Sequence, residues 1–147
     1  MRTFTKLFAA VAALFTSVSI VSCREAIIPA DKLPAAAQTF IKEYFPESTV
    51  SYVKKDKEQM KTTYEVVLQD GSEIDFDSKG RWDKVDCKRS SVPAALVPKE
   101  IAEYVQNSFP GQLIVKTDKE PYGFETELSS GLEIKFGKNG KLLKIDD

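Results

Sequence analysis

The most informative absence in the sequence is histidine, of which the 147 residues contain none. Histidine is the commonest general base, a frequent zinc ligand and the usual base of catalytic triads, so most familiar catalytic sites are excluded. Glycine-rich phosphate-binding loops and the Gly-x-Ser-x-Gly pattern of hydrolases are also missing. We therefore predict a protein that is not an enzyme and that uses no cofactor and no metal.

The chain also lacks an excess of basic residues and has few cysteines. The chain has 21 Lys and Arg residues against 22 Asp and Glu residues, a formal net charge of −1. Nucleic-acid partners require a basic face, so we predict no nucleic acid partner. The two cysteines, Cys23 and Cys87, are too few for a disulfide framework.

Residues 1–22 have the pattern of a secretory signal peptide. Arg2 and Lys6 precede an apolar run over 7–21, which ends in small residues. This run is too short to span a bilayer comfortably, as is typical of a cleaved signal. An uncleaved membrane anchor is the alternative interpretation.

The end of the signal, Ile20-Val21-Ser22-Cys23, resembles a bacterial lipobox. The resemblance implies cleavage before Cys23, lipidation of its sulfur, and a membrane contact through a lipid anchor in the cell envelope, in the periplasm or at the outer membrane. An ordinary signal with a chance cysteine is the alternative, and it would leave a Cys23–Cys87 disulfide open. A mature chain from Cys23 has 125 residues, with 19 basic and 22 acidic side chains.

The rest of the chain contains the same pattern twice. Leu33-Pro34 and Phe45-Pro46 enclose one helix-like stretch, and an equivalent stretch follows 64 residues later. Further on, matching positions are 60 residues apart: Tyr64-Glu65 with Phe124-Glu125, Gly71 with Gly131, Gly80 with Gly140, and Val85-Asp86 with Ile145-Asp146. We predict two copies of one supersecondary unit, repeat 1 over 23–88 and repeat 2 over 89–147.

Each copy reads as one helix followed by four strands. Apolar residues recur every three or four positions from Leu33 to Tyr44, which is typical of an amphipathic helix. Apolar and polar residues alternate over 64–68 and 73–77, as in strands with one buried face, on either side of a tight turn. Further strands are predicted near 49–55, 81–87, 112–118 and 141–146. The predicted fold class is α+β, with tandem duplicated α-β-β-β-β units, an antiparallel sheet, and helices packed on one face.

The stretch DFDSKG over 75–80 has the spacing that begins a calcium loop. Its counterpart in copy 2, KFGKNG over 135–140, keeps the phenylalanine and the last glycine but neither aspartate. A core aromatic and a glycine that can adopt positive φ are what a strand-turn-strand needs. We therefore predict a hairpin turn rather than a metal site.

The sheet face opposite the helices is the candidate binding surface. If Tyr64, Val66 and Phe76 face the helix, period-two alternation puts a mostly charged set on the other side. Our candidate partner-binding residues on this open face are Glu65, Val67, Asp75, Trp82 and Leu142. Trp82 is the only tryptophan, and a tryptophan among charged residues is typical of an interface hot spot. The alternative is that Trp82 covers the sheet locally or packs between the two copies.

These features together resemble the PepSY-like family of beta-lactamase-inhibitor-like proteins secreted by Bacteroides-type bacteria. The resemblance rests on the lipobox, the helix closed by Phe-Pro, the Tyr-Glu-Val or Phe-Glu-Thr strand, the Asp-Gly or Ser-Gly hairpin, and the Phe-x-x-x-Gly-x-x-x-x-Val/Ile-Asp ending. It implies tandem α/β repeats with an antiparallel sheet whose open side grips a protein. No inhibitor contact residue can be transferred, because only the scaffold matches.

Three functional hypotheses follow, in order of preference. The first is a non-enzymatic envelope binding module that occludes a protein partner, such as a secreted peptidase or other hydrolase. The second is a small-ligand carrier or sensor with an apolar pocket between helix and sheet. The third is a hydrolase that uses a carboxylate pair drawn from Glu65, Asp75, Glu125 and Glu133.

Overall fold

The computed structural model describes residues 24–147, and the bounds of its elements largely follow the sequence predictions. In chain order they are β1 Arg24–Ile28, a 3₁₀ turn Ala30–Lys32, α1 Ala35–Tyr44, β2 Val50–Glu58, β3 Lys61–Leu68, β4 Glu73–Asp77, β5 Trp82–Asp86, a 3₁₀ turn Ala94–Leu96, α2 Lys99–Ser108, β6 Ile114–Glu120, β7 Gly123–Leu128, β8 Glu133–Gly137 and β9 Leu142–Asp146. The predicted signal peptide and lipidation site, 1–22 and Cys23, lie outside the described residues.

Both helices begin after a proline and end just before a phenylalanine, as predicted. α1 follows Pro34, and the Phe45 N–H donates to the carbonyl of Ile41 to close the last turn. α2 has the same features at Pro98 and Phe109. Proline suits the first turn because its missing N–H has no partner there, whereas a proline after the last turn cannot continue the helix. Neither helix of residues 24–147 is long and apolar enough to cross a bilayer.

The nine strands form one antiparallel sheet in which each strand pairs with its neighbours in sequence, from β1 to β9. The pairing register carries one row of side chains across the whole sheet: Ile28, Val53, Val66, Ile74, Val85, Thr117, Thr126, Ile134 and Ile145. This row is fully buried from Val53 to Ile134. Adjacent residues in each strand point to the opposite face, so the same sheet has one apolar and one polar side.

Both helices pack on the apolar face. The ring of Phe40 in α1 lies 5.4 Å from that of Phe76, and Tyr104 in α2 lies 5.5 Å from Phe136, each pair edge to face. The β4–β5 turn approaches α1 so closely that a Cβ on Gly80 would lie 2.8 Å from the backbone nitrogen of Ala37. Gly80 also has φ of +79°, so both its conformation and its contact favour glycine.

The predicted α+β class, the antiparallel sheet and the helices on one face are confirmed, but the number of strands is not. The repeated α-β-β-β-β pattern predicts eight strands, and the structure adds β1 before the first helix. Four of the five residues of β1 are exposed, so this segment lacks the buried alternation that identifies a strand in sequence. It is a strand because its backbone pairs with the edge of β2, where Ile28 is opposite Val53. After β1, both halves have the same order of elements.

Candidate functional site

The open face, opposite the helices, includes two rows of side chains that cross the sheet. The first row is Ile27, Lys54, Glu65, Asp75, Lys84, Asp118, Glu125, Lys135 and Lys144. The second is Tyr52, Val67, Glu73, Asp86, Lys116, Glu127, Glu133 and Asp146. None of these side chains is buried, so both rows are available to a partner.

Ion pairs between neighbouring strands organise much of the first row. Lys84 Nζ lies 2.9 Å from Asp75 Oδ2, directly across β4 and β5. Burial lowers the pKa of Lys84, but the hydrogen bond and the charge of Asp75 outweigh it, so that the pKa of Lys84 is raised. Lys54 Nζ lies 3.8 Å from Glu65 Oε2. Solvent-exposed pairs of this kind contribute only about 0–1 kcal/mol each, so they position side chains more than they stabilise the fold.

Acidic residues nevertheless dominate the open face. The two rows contain nine carboxylates and five lysines, a net charge of −4. Glu127 and Glu133 lie directly opposite each other on β7 and β8. Within residues 24–147 neither carboxylate has a lysine or arginine nitrogen within ion-pair distance. Like charges directly opposite are unfavourable, and a cationic group from outside would relieve them.

One corner of the open face is apolar, and we call it the apolar corner: Ile27, Tyr52 and Val67. Tyr52 is directly opposite Val67, and Ile27 pairs with Lys54, two residues further along β2. Ile27 is 67% exposed and Tyr52 is 42% exposed. An exposed tyrosine beside an exposed isoleucine and a partly exposed valine, surrounded by charged groups, is the composition expected of an interface anchor.

The structure brings three of the five predicted binding residues together. Glu65 and Asp75 are directly opposite each other, and Val67 lies two residues from Glu65 on the same face. Sequence reasoning missed Ile27, because β1 was not recognised. It also missed Tyr52, because no faces were assigned to the strand predicted near 49–55. The alternation of Tyr52 with the apolar Val53 is the sequence signal that could have placed it.

The placement of Trp82 and Leu142 on the open face is wrong. In the β4–β5 pair, Asp75 is opposite Lys84 but Phe76 is opposite Trp82, so β5 carries one extra residue, Asp83. The same bulge recurs between β8 and β9, where Phe136 is opposite Leu142. An extra residue reverses the alternation beyond it. Trp82 and Leu142 therefore lie on the helix side, partly buried against the core.

Trp82 covers the end of the helix-side core. Its ring lies 6.2 Å from that of Phe40 in α1, and the Nζ of Lys119 in β6 lies 3.7 Å from its ring centroid. The residue thus links elements from the two halves of the chain. This geometry agrees with the alternative interpretation, in which Trp82 is a packing residue.

A cavity of about 320 Å³ adjoins the open face and is lined mainly by charged side chains: Lys54, Asp56, Lys61, Glu65, Asp75, Asp83, Lys84, Asp118, Lys119 and Glu120, with Thr63, Tyr64 and Phe76. Burial raises the pKa of Asp118 and outweighs the opposing charge of Lys116, whose Nζ lies 3.3 Å from Asp118 Oδ2. One buried oxygen each of Asp56 and Asp75 has no hydrogen-bond partner among residues 24–147. The lining suits an ammonium or guanidinium group better than an apolar ligand.

The DFDSKG stretch forms the β4–β5 hairpin turn, as predicted. Asp77 Oδ1 accepts hydrogen bonds from the N–H groups of Lys79 and Arg81, at 2.8 and 3.0 Å, and Oδ2 accepts one from the Arg81 guanidinium at 2.6 Å. Burial raises the pKa of Asp77, but these hydrogen bonds outweigh it and lower the pKa. No group of three or more potential metal-ligating His, Cys, Asp or Glu side chains is present within residues 24–147.

The two remaining functional hypotheses find little support in the geometry. Glu65 and Asp75 are each engaged by a lysine, which is typical of a structural ion-pair ladder rather than of a catalytic pair. A groove of about 200 Å³ between α2 and β6 is lined largely by apolar residues, including Val97 and Val105. It is smaller than the roughly 300–1,000 Å³ of typical small-molecule pockets.

Cys87 is also unsuited to nucleophilic chemistry. Its side chain is 6% exposed and belongs to the hydrophobic core. Burial raises the pKa of its thiol, and a side-chain hydrogen bond with Ser72 offsets this only in part. A buried, protonated thiol without a neighbouring base is inert.

The chain is similar to a protein family and to solved structures of proteins from Bacteroides species. The chain matches the family described as "Putative beta-lactamase-inhibitor-like, PepSY-like" over residues 19–63 and 62–144. A crystal structure of a "putative periplasmic protein of unknown function" from Bacteroides vulgatus is 36% identical, has a TM-score of 0.81, and is matched over 84% of this chain and 100% of that chain. Among curated proteins, none matches.

Two further crystal structures have the same fold. A second periplasmic protein from Bacteroides vulgatus is 36% identical, with a TM-score of 0.79, over 84% of this chain and 97% of that chain. A protein from Bacteroides thetaiotaomicron, described as a "putative calcium-regulated periplasmic protein", is 35% identical with a TM-score of 0.80 and the same coverage. Nothing in the descriptions of the family or of these proteins indicates an enzymatic activity.

Proposed function

Because this chain belongs to the PepSY-like family, we propose that it is a non-enzymatic binding module of the cell envelope whose open face binds a protein partner. The observation that carries the proposal is a nine-stranded sheet whose described helices all lie on one side, with an accessible, acidic second side. A covered or uniformly neutral face would give a partner nothing to recognise. The inhibitor-like description of the family and the periplasmic neighbours agree with this role.

The broad open face comes from two similar halves, which we infer to be copies of one α-β-β-β-β unit. In support, both halves have the same element order, and both contain the same bulge in the strand that pairs with Phe76 or Phe136. Pairing of β5 with β6 joins the two sets of strands into one continuous sheet. A surface of nine strands can cover more of a partner than either half alone.

The chemistry of the open face indicates what the partner offers. The net charge of −4 of the two rows favours a surface that carries lysine or arginine, and so do Glu127 and Glu133, which have no ion-pair partner within residues 24–147. The apolar corner around Tyr52 favours an adjacent apolar or aromatic contact. Binding then acts by occlusion. If the partner is a secreted peptidase or another hydrolase, the sheet covers its substrate cleft without any covalent step.

Lipid attachment at Cys23 would complete the module, because β1 begins at the next residue, Arg24. The anchor would hold the sheet within a few residues of the membrane surface and restrict partner capture to the envelope. Metabolic labelling with a radioactive fatty acid tests this step. Label in the wild-type chain and none in Cys23→Ser is expected, whereas label in both variants would contradict it.

Partner capture with matched variants tests the binding role. A tagged fragment of residues 24–147, which contains every described helix and strand, is incubated with envelope extract, and captured proteins are identified by mass spectrometry. Tyr52→Ala removes the exposed aromatic of the apolar corner, and we expect partner capture to fall by tenfold or more, as for hot-spot residues. Glu127→Lys with Glu133→Lys reverses the acidic pair and should abolish capture of a basic partner.

The matched control is Leu113→Ala, which removes a side chain that is 45% exposed outside the two rows. Capture should be unchanged for this control. A partner that binds equally well to wild type, Tyr52→Ala and the double lysine variant does not use the open face, and the proposal then fails. Capture is also compared with Ca²⁺ and with a chelator, because one similar protein is described as calcium-regulated. The side chain of Asp77 already accepts hydrogen bonds within the DFDSKG turn. We therefore expect no Ca²⁺ binding at this turn, and no change in partner capture that depends on it.

A further inference from the structure

The outer edge of β9 carries exposed aliphatic side chains. Ile145, the last member of the buried row, is 40% exposed, and Leu143 is 55% exposed. Val85 has the equivalent position in β5 and is fully buried. The difference arises because β6 pairs with β5, whereas no strand within residues 24–147 pairs with the outer edge of β9. A free edge with exposed aliphatic side chains invites pairing with another strand.

The first half of the molecule shows how such an edge is covered. α1 packs on β4 and β5 through Phe40, and β6 still pairs with β5, placing Thr117 opposite Val85. α2 packs on the second half in the same way, through Tyr104 on Phe136. The helix therefore leaves room for an antiparallel strand beside β9, as it does beside β5.

We propose that a second copy of this chain fills this place, so that β9 pairs with β9 in an antiparallel, two-fold dimer centred on Ile145. This register places Ile145 opposite Ile145 of the second copy on the helix side. On the open face, it also places Lys144 of each copy opposite Asp146 of the other copy. Opposite charges across antiparallel strands stabilise the pair, and a two-fold axis makes each favourable contact occur two times.

Charge complementarity favours this register. Asp146 also contacts Lys144 and Lys135 of its own chain, so the pairs across the two-fold axis would join an existing cluster of opposite charges. Centring the pair on Lys144 or on Asp146 would place like charges opposite each other, which is unfavourable. Pairing β9 with β1 of a second copy whose helices lie on the same side would be parallel, because odd-numbered strands run in the same direction in this sheet. Such a head-to-tail contact would also continue into an open chain of molecules instead of closing.

The dimer would have one 18-stranded sheet with both open faces on the same side. Since the two-fold axis is perpendicular to the sheet, two identical acidic surfaces would be presented together. This inference does not depend on the identity of any partner or on the proposed function. It depends only on the exposure of β9 and the charges at 144 and 146.

A register-specific disulfide tests the proposal in the full chain, expressed in the envelope of a Bacteroides host. Opposed residues of antiparallel strands have Cα atoms about 4.5–5.5 Å apart, within the range that a disulfide bridges. Ile145→Cys should therefore cross-link to itself upon mild oxidation, giving a species of twice the mass in a non-reducing gel. The Lys144→Cys variant alone should not cross-link to itself. Differently tagged Lys144→Cys and Asp146→Cys chains should cross-link to each other when they are expressed together.

Two controls make the result specific. The wild-type chain reports any cross-link through its native cysteines, and Leu113→Cys reports random collision of an equally exposed position away from β9. In the Ile145→Cys background, Lys144→Asp should lower the cross-linked fraction about tenfold, and adding Asp146→Lys should restore it. Restoration distinguishes lost pairing from lost folding.

The expected pattern is thus self-cross-linking at 145, cross-linking between 144 and 146, and rescue by the charge exchange. Absence of the 145 cross-link, a yield no higher than that of Leu113→Cys, or self-cross-linking at 144 would overturn the proposal. Cross-linking of Ile145→Cys to a different protein would overturn it too, because the edge would then belong to another occupant.

Discussion

Replacing Trp82 by alanine should weaken the fold and leave partner capture unchanged. Complete loss of a buried tryptophan side chain costs about 3–5 kcal/mol. Trp82 is only partly buried, which reduces the expected cost to about 2–3 kcal/mol. Of this, about 0.5–1 kcal/mol is the attraction between its ring and the Nζ of Lys119, which lies 3.7 Å from the centroid. The rest is packing against Phe40 and the core.

The size of this effect can be measured by thermal unfolding followed by circular dichroism. A domain of 124 residues, the length described in the structure, has an unfolding entropy of about 0.26 kcal/mol per degree at Tm. A loss of 2–3 kcal/mol therefore lowers Tm by roughly 10 °C. Lys119→Ala should give the smaller part of the shift, about 2–4 °C.

Tyr52→Ala is the matched comparison, because Tyr52 is 42% exposed on the open face. Surface substitutions of this kind change the free energy of unfolding by about 0.5 kcal/mol or less, so Tm should move by roughly 2 °C at most. The two variants should thus separate stability from binding. A Trp82→Ala variant with normal Tm and lost partner capture would refute the bulge-based placement of Trp82 on the helix side.

Three further predictions concern stability. Thr117→Val should raise Tm by about 3–4 °C, because the buried Oγ1 of Thr117 has no hydrogen-bond partner in the described part of the chain. Thr126→Val removes a 3.4 Å hydrogen bond to a carbonyl and should not raise Tm. Asp77→Asn should flatten the pH dependence of the unfolding free energy in acid. The lowered pKa of Asp77 contributes stability above its unfolded value of 3.8, and this is lost as pH falls through the folded value; an unchanged profile in the variant would contradict it. Gly80→Ala should destabilise by about 1–3 kcal/mol more than Gly71→Ala, as measured by chemical denaturation, because only at position 80 would the added Cβ meet α1; equal losses would show that positive φ alone matters.

Sequence reasoning located the helices and most strands because their signals are local. Apolar spacing, the Phe-Pro endings and the Gly turns all act within a few residues of the chain. The open-face positions of Glu65, Val67 and Asp75 were predictable by simple alternation. Alternation failed at Trp82 and Leu142, since a bulge is a mismatch between two strands and is invisible in either strand by itself. The sequence did not predict β1 for a similar reason, because its exposed residues form a strand only through pairing with β2.

By itself, the sequence determined the class of the fold, its two similar halves, the polarity of the two sheet faces and the absence of histidine chemistry. These properties depend on composition and on spacings of two to four residues, which physical chemistry converts directly into helices, strands and turns. Only the tertiary structure decided that Trp82 packs under α1, that Ile27 and Tyr52 meet Val67 at one corner, and that Ile145 is exposed where Val85 is buried. These properties depend on which strands pair and in which register, and pairing joins residues that lie far apart in the chain.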